Sequence, residues 1–185
     1  MLLQEFRRSV DTWTEWASNE HCQQYDIALF KIWIQFEKFC SDLFIEYSIG
    51  HSSETGYIPQ LRINFQTEEL LNSILRENNK YVDYIKKIET LSKQIFDKNP
   101  FEILLSDLKY KEVYNQARSI RNYIAHESAE SRIKYLKTCL DGNEAHFVEP
   151  NVFLLKMRRS ERMTNYSYFV ECFSEMADLL VSPIN

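Results

Sequence analysis

Glycine is nearly missing from this chain: there are three among 185 residues, with only four prolines beside them. Sandwiches, barrels and Rossmann units need tight turns at short intervals, so this shortage argues against all of them. It also removes a class of site, because Gly50, Gly56 and Gly142 are too scattered to form a phosphate-cradling loop. Long apolar runs are missing as well. None reaches the length of a membrane span, and the opening MLLQEFRRSVDTWTEW lacks the apolar centre of a signal peptide. The four cysteines, Cys22, Cys40, Cys139 and Cys172, form no Cys-x-x-Cys pair. Without an export signal they read as reduced core thiols, and the expected compartment is the cytoplasm. His21 and Cys22 are adjacent but have no second ligand pair, and no other His, Cys and carboxylate set stands at metal-ligand spacing. Neither a metal nor a cofactor is expected.

What is present suits one helical core. The chain is 44% hydrophobic and 14% aromatic, and its length suits a single domain over residues 1–185. Phe6, Val10, Trp13 and Ala17 recur at helical spacing. From Tyr25 to Ile49 apolar residues crowd every turn, which describes a long and deeply buried helix, with Gly50 as its stop. Thr67 is a good N-cap for EELLNSILR, and Tyr81 to Phe96 reads as another helix. Pro100 opens a short helical stretch. A strongly helical segment runs from about Tyr110 to Leu140, with a bend near His126, and Tyr166 to Val181 closes the chain. The expected fold class is all-α: a bundle of four or five main helices, with a minor two-stranded element pairing 61–65 with 152–157.

Net charge is −5, which does not describe a bulk nucleic-acid binder. Its distribution is uneven. Lys109 to Lys137 holds seven Lys or Arg against three Glu, and Lys156 to Arg162 holds four against one. These islands carry +4 and +3, so the rest of the chain carries −12, the difference between −5 and their combined +7. An ordinary solvated helix face is the plain reading of any one such cluster.

The first island contains ARSIRNYIAHESAES, Ala117 to Ser131. On a helical wheel Val113, Ala117, Ile120 and Ile124 form one apolar stripe. Arg118, Asn122 and His126 form a second stripe away from it, with small residues Ala125 and Ala129 alongside, suited to close approach by a second copy of the chain. Arg121 and His126 stand about 140° apart on an ideal helix, so they meet on one small substrate only if the helix breaks between them or a second copy completes the site. Arginine offers a permanent charge and a planar fork for phosphate oxygens, and histidine gives or takes a proton near neutrality. Asparagine can orient either of them. These groups suit metal-independent phosphodiester cleavage in RNA, whose own 2′-hydroxyl is the nucleophile. The plain alternatives are that Arg121 is a solvated helix residue, that His126 favours a helix C-terminus, and that Arg118 pairs with Glu112. Tyr123 and Ser128 are further substrate-binding candidates, though Tyr123 also suits packing. The run KMRRSER could hold an RNA backbone or be a solvated turn.

RNYIAH, Arg121 to His126, resembles the signature of the HEPN superfamily: an Arg, a polar residue, then a His after a short spacing. The close resemblance covers Ala117 to Ser131. It implies a homodimeric helical bundle whose paired motifs form a metal-independent endoribonuclease site at the dimer cleft. Arg121, Asn122 and His126 would then be the catalytic residues, and Arg118 an auxiliary phosphate contact. The resemblance also implies RNA as substrate, toxin–antitoxin or antiviral defence as setting, and an antitoxin protein as partner. The alternative it carries is a catalytically inactive HEPN-like binding or assembly module.

Overall fold

A helix that is apolar on nearly all sides must be surrounded, and α2, Tyr25–Ser48, buries residues from Ala28 to Ser48 on every turn. In a computed structural model describing residues 1–19, 23–65, 67, 69–71, 73 and 84–183, the other helices pack around it. They are α1 (Leu2–Ser18), α3 (Tyr84–Ile95), α4 (Ile103–Ser106), α5 (Leu108–His126), α6 (Ala129–Cys139), α7 (Pro150–Leu155) and α8 (Asn165–Val181). The protein is all-α, with one small antiparallel sheet, β1 (Met157–Arg158) with β2 (Met163–Thr164).

Aromatic contacts place each neighbour. Phe6 of α1 sits 5.5 Å from Phe39 and 5.7 Å from Phe36. Trp33 meets Tyr114 of α5 at 4.6 Å and Phe173 of α8 at 5.8 Å. Phe44 packs on Phe96 and Phe101. Such offset and edge-on pairs add to the burial of large rings. α2 ends where the sequence indicates. Gly50 adopts φ +85°, and the N–H groups of Gly50 and His51 return to the carbonyls of Tyr47 and Glu46. That is the double bond of a Schellman stop, which needs a left-handed residue at this position. Thr67 behaves as expected, its hydroxyl accepting from the Leu70 N–H at 3.3 Å.

The expected strand pair does not form. Pro150 opens α7, where its fixed φ suits the first helical position, so 152–155 are helical. Leu61 contributes only an isolated bridge to Phe96. The two strands are instead the neighbours 157–158 and 163–164, closed by a four-residue loop. The bend near His126 is a full break into α5 and α6. Residues 69–71 and 73 of the expected helix from Glu68 are helical; its other residues, the start of the one from Tyr81, and His21 and Cys22 lie outside the described residues. Among the described residues, no helix is long and apolar enough to cross a membrane and no group of side chains could hold a metal ion.

Tyr47 is fully buried and its hydroxyl donates to the Leu180 carbonyl at 2.8 Å. Tyr47→Phe leaves that carbonyl unpaired and should lower the unfolding free energy by about 1–2 kcal/mol in urea titration. An unchanged midpoint would show that the bond does not tie α2 to the end of α8.

Candidate functional site

Asp107 starts the helix that carries the motif, its carboxylate accepting from the N–H groups of Lys109 and Tyr110 at 2.8 and 3.3 Å. Val113, Tyr114, Ala117 and Ile120 are buried against the core, and Ile124 packs at its edge. This is the apolar stripe read from the sequence. α6 folds back along a second flank. Tyr123 stacks on Tyr135 with ring planes 2° apart and centroids 5.5 Å apart, and Phe147 meets both rings edge-on. At the far end of this helical hairpin, Ser119 lies 3.3 Å from the Cys139 sulfur. Burial pushes the Cys139 thiol up to about 12, so it is inert near neutrality.

With those two flanks covered, the polar residues fall on the remaining face. Asn122 and Arg118 are half-buried, while Ala125 and His126 are exposed. Arg118 is itself engaged in an interaction. A groove of about 450 Å³ continues along the same helix, lined by Leu108, Lys111, Asn115 and Thr138. Arg121 is half-buried. Its Nη1 donates to the side-chain oxygen of Asn122 at 2.9 Å. Its Nε is buried and has no hydrogen-bond partner among the described residues. The Asn122 side chain thus engages one end of the guanidinium, and the fork keeps donor capacity in reserve.

The helix runs unbroken from Leu108 to His126 and stops there. The break therefore lies after the motif, not between its Arg and His, and the two leave one helix about 140° apart. Glu127 forms the stop with left-handed φ 45°, ψ 25°, its N–H bonding to the Tyr123 carbonyl at 2.9 Å. The hydroxyl of Ser128 then caps α6, accepting from the Ser131 N–H at 3.2 Å, while the Ser131 hydroxyl accepts in turn from the Ser128 N–H at 3.1 Å. Ser128, a substrate-binding candidate from the sequence, is thus occupied as a cap, and Tyr123, the other, is occupied in packing. Ala129 belongs to α6 and not to the face that carries Ala125. Ser131 and Glu127 are the residues the sequence reading missed. A Ser three residues after a Ser departs from the usual Ser/Thr-x-x-Glu box, and a left-handed Glu has no pattern of its own.

No family model matches this chain, and no curated protein or solved structure matches it.

The junction after His126 can be tested directly. Glycine adopts φ near +45° without the Cβ clash, so Glu127→Gly should raise the unfolding free energy by about 0.5–1 kcal/mol. Ser128→Ala removes the cap and should lower it by about 1 kcal/mol. Urea midpoints of the two variants moving in the same direction would contradict this account of the break.

Proposed function

We propose that the chain is a metal-independent endoribonuclease of the HEPN type, with its site formed where the α5 helices of two copies cross. The observation that carries this reading is the Arg121–Asn122 pair on a helix that stays continuous to His126. One copy offers a charged fork held by its neighbour, with donors still unengaged, but sends its His in another direction. A second copy approaching the face around Ala125 brings its own His126 toward that fork. In such a site the 2′-hydroxyl of RNA attacks the adjacent phosphorus and the P–O5′ bond breaks. The His126 of the second copy accepts the proton of the 2′-hydroxyl and gives a proton to the leaving 5′-oxygen. Arg121 holds the non-bridging oxygens, whose charge grows as phosphorus becomes five-coordinate. A toxin or phage-defence role in the cytoplasm, with an antitoxin partner, rests on the HEPN resemblance. The divergence of Arg121 and His126 within one copy also favours a second reading, a non-catalytic assembly module of the same fold.

Purified protein should cleave single-stranded RNA in EDTA and leave 2′,3′-cyclic phosphate and 5′-hydroxyl ends. His126→Ala and Arg121→Ala should each cost about 10²–10⁴ in rate. A requirement for magnesium, or 5′-phosphate products, rules out the mechanism. Complete inactivity of a wild type that dimerises favours the assembly module.

The two-copy site has its own test. Tagged heterodimers pairing an Arg121→Ala chain with a His126→Ala chain keep one intact Arg121 and one intact His126 on opposite chains. They should recover part of the activity that both parent homodimers lack. Heterodimers as inactive as their parents would remove cross-chain pairing of one Arg with one His.

A further inference from the structure

The second basic island folds into the β1–β2 hairpin, and the structure divides its cations into two kinds. Arg158 is built in. Its guanidinium lies 4.1 Å from the Tyr168 ring centroid and donates to Glu161 and Asn165, both at 3.4 Å. Glu161, the loop's one carboxylate, also accepts from the Ser160 hydroxyl, which with Arg158 holds it below the usual carboxylate range. Asn165 anchors the hairpin's base. It is buried, its side chain donates to the Phe153 carbonyl at 2.8 Å, and its N–H donates to the Lys156 carbonyl at 2.9 Å. Lys156, Arg159 and Arg162 are the other kind. All three are exposed, and among the described residues none has an ion pair. Arg162 also sits at φ 57°, a left-handed turn position that glycine or asparagine fills at lower cost. A charged side chain kept at a strained position points to a use for it.

The hairpin is linked to the motif helix through packed rings. Tyr123, inside the Arg121–His126 segment, stacks on Tyr135, and Tyr135 meets Phe153 edge-on at 6.2 Å. Phe153 is the residue whose carbonyl anchors the hairpin. Two ring contacts thus separate the motif helix from the base of the basic loop.

We infer that the hairpin of Lys156, Arg159 and Arg162 is a second binding site, which holds the phosphate backbone of a single-stranded RNA beside the Arg121–His126 motif. The inference rests on the RNA reading of that motif. Three unanswered cations at every third residue, one at the base of a short hairpin and two in its loop, match a linear polyanion better than a plane. An anionic membrane would face the whole side of a molecule whose remaining residues carry −8, the difference between −5 and the hairpin's +3, whereas a strand touches only the hairpin. Met157, 61% exposed on β1, adds an apolar surface for an unstacked base.

The test measures binding apart from cleavage, in a His126→Ala background, by fluorescence anisotropy of a labelled oligouridylate across a salt series. Replacing Lys156, Arg159 and Arg162 together by Gln should weaken binding by about tenfold or more and flatten the log–log salt slope by about 2, at about 0.7 per lost contact on a single strand. Arg162→Gly should keep or raise the melting temperature while weakening binding. Arg8→Gln, Lys31→Gln and Lys98→Gln together make the same charge change elsewhere and should leave the slope unaltered. Absence of RNA binding, an unchanged slope in the hairpin variant, or an equal loss in the control overturns the inference. So does hairpin-dependent sedimentation with phosphatidylserine-containing vesicles without RNA binding. Hairpin-dependent binding by a protein that never cleaves would sink the nuclease reading and leave this one standing. Cleavage that needs His126 but ignores the hairpin would do the reverse.

Discussion

Trp33 is the point on which the arrangement turns. It is almost fully buried, and three helices meet on its ring: its own α2, α5 through Tyr114 and α8 through Phe173. A ring of that size in a close-packed interior has few ways to be accommodated. Once Tyr114 is set against it, the roll of α5 about its axis is fixed. Val113, Ala117 and Ile120 then enter the core. Ser119 and Tyr123 are left to α6. Ala125 and His126 are left exposed, with Arg118 and Asn122 half-buried on the same side. The polar face of α5 is therefore a consequence of how the core is packed, and its position does not depend on interactions among the polar residues themselves.

Elements with many turns of pattern were legible before the structure. α2 showed apolar residues on every side, and α5 showed a stripe four residues wide at helical spacing. Both were read correctly because burial repeats over enough turns to outweigh local propensity. The short elements were not legible. A two-residue strand has no period, and the run VFLL suits a strand as well as a helix until Pro150 and the rings of Tyr135 and Phe169 decide between them. The break after His126 was visible as a bend, but its cause was not. That cause is one left-handed residue, Glu127, backed by a Ser128–Ser131 box. At the site itself, the Arg121–Asn122 bond could be anticipated from adjacency. That Ser128 works as a cap could not, because a cap and a ligand contact call for the same hydroxyl.

The overall charge of −5 says little, because most of what matters is how cations are answered. Arg7 pairs with Asp178, Lys38 with Asp42, Arg62 with Asp97, Lys109 with Glu175 and Arg132 with Glu144. Exposed pairs of this kind add little stability each. Their larger effect is to cancel the field over those parts of the surface. Lys109 and Arg132 belong to the first basic island, so much of its excess disappears on folding. Among the described residues Lys111, Lys134 and Lys137 are exposed without an ion pair, and Arg121 is hydrogen-bonded to a neutral neighbour.

The second island follows the opposite course. Folding pairs Arg158 and leaves Lys156, Arg159 and Arg162 unanswered, so the hairpin concentrates positive potential where the sequence suggested only a solvated turn. The rings of Tyr123, Tyr135 and Phe153 connect that hairpin to the motif helix through contacts that a packed interior holds to a fixed spacing. Two cationic features that lie thirty-odd residues apart in the chain thus share one rigid frame. On the RNA reading proposed above, a polyanion engaging the hairpin is held on the same frame as Arg121. Binding energy gained at the hairpin would then serve to position a phosphate at Arg121, the use that remote contacts have when a site must orient its substrate as well as hold it.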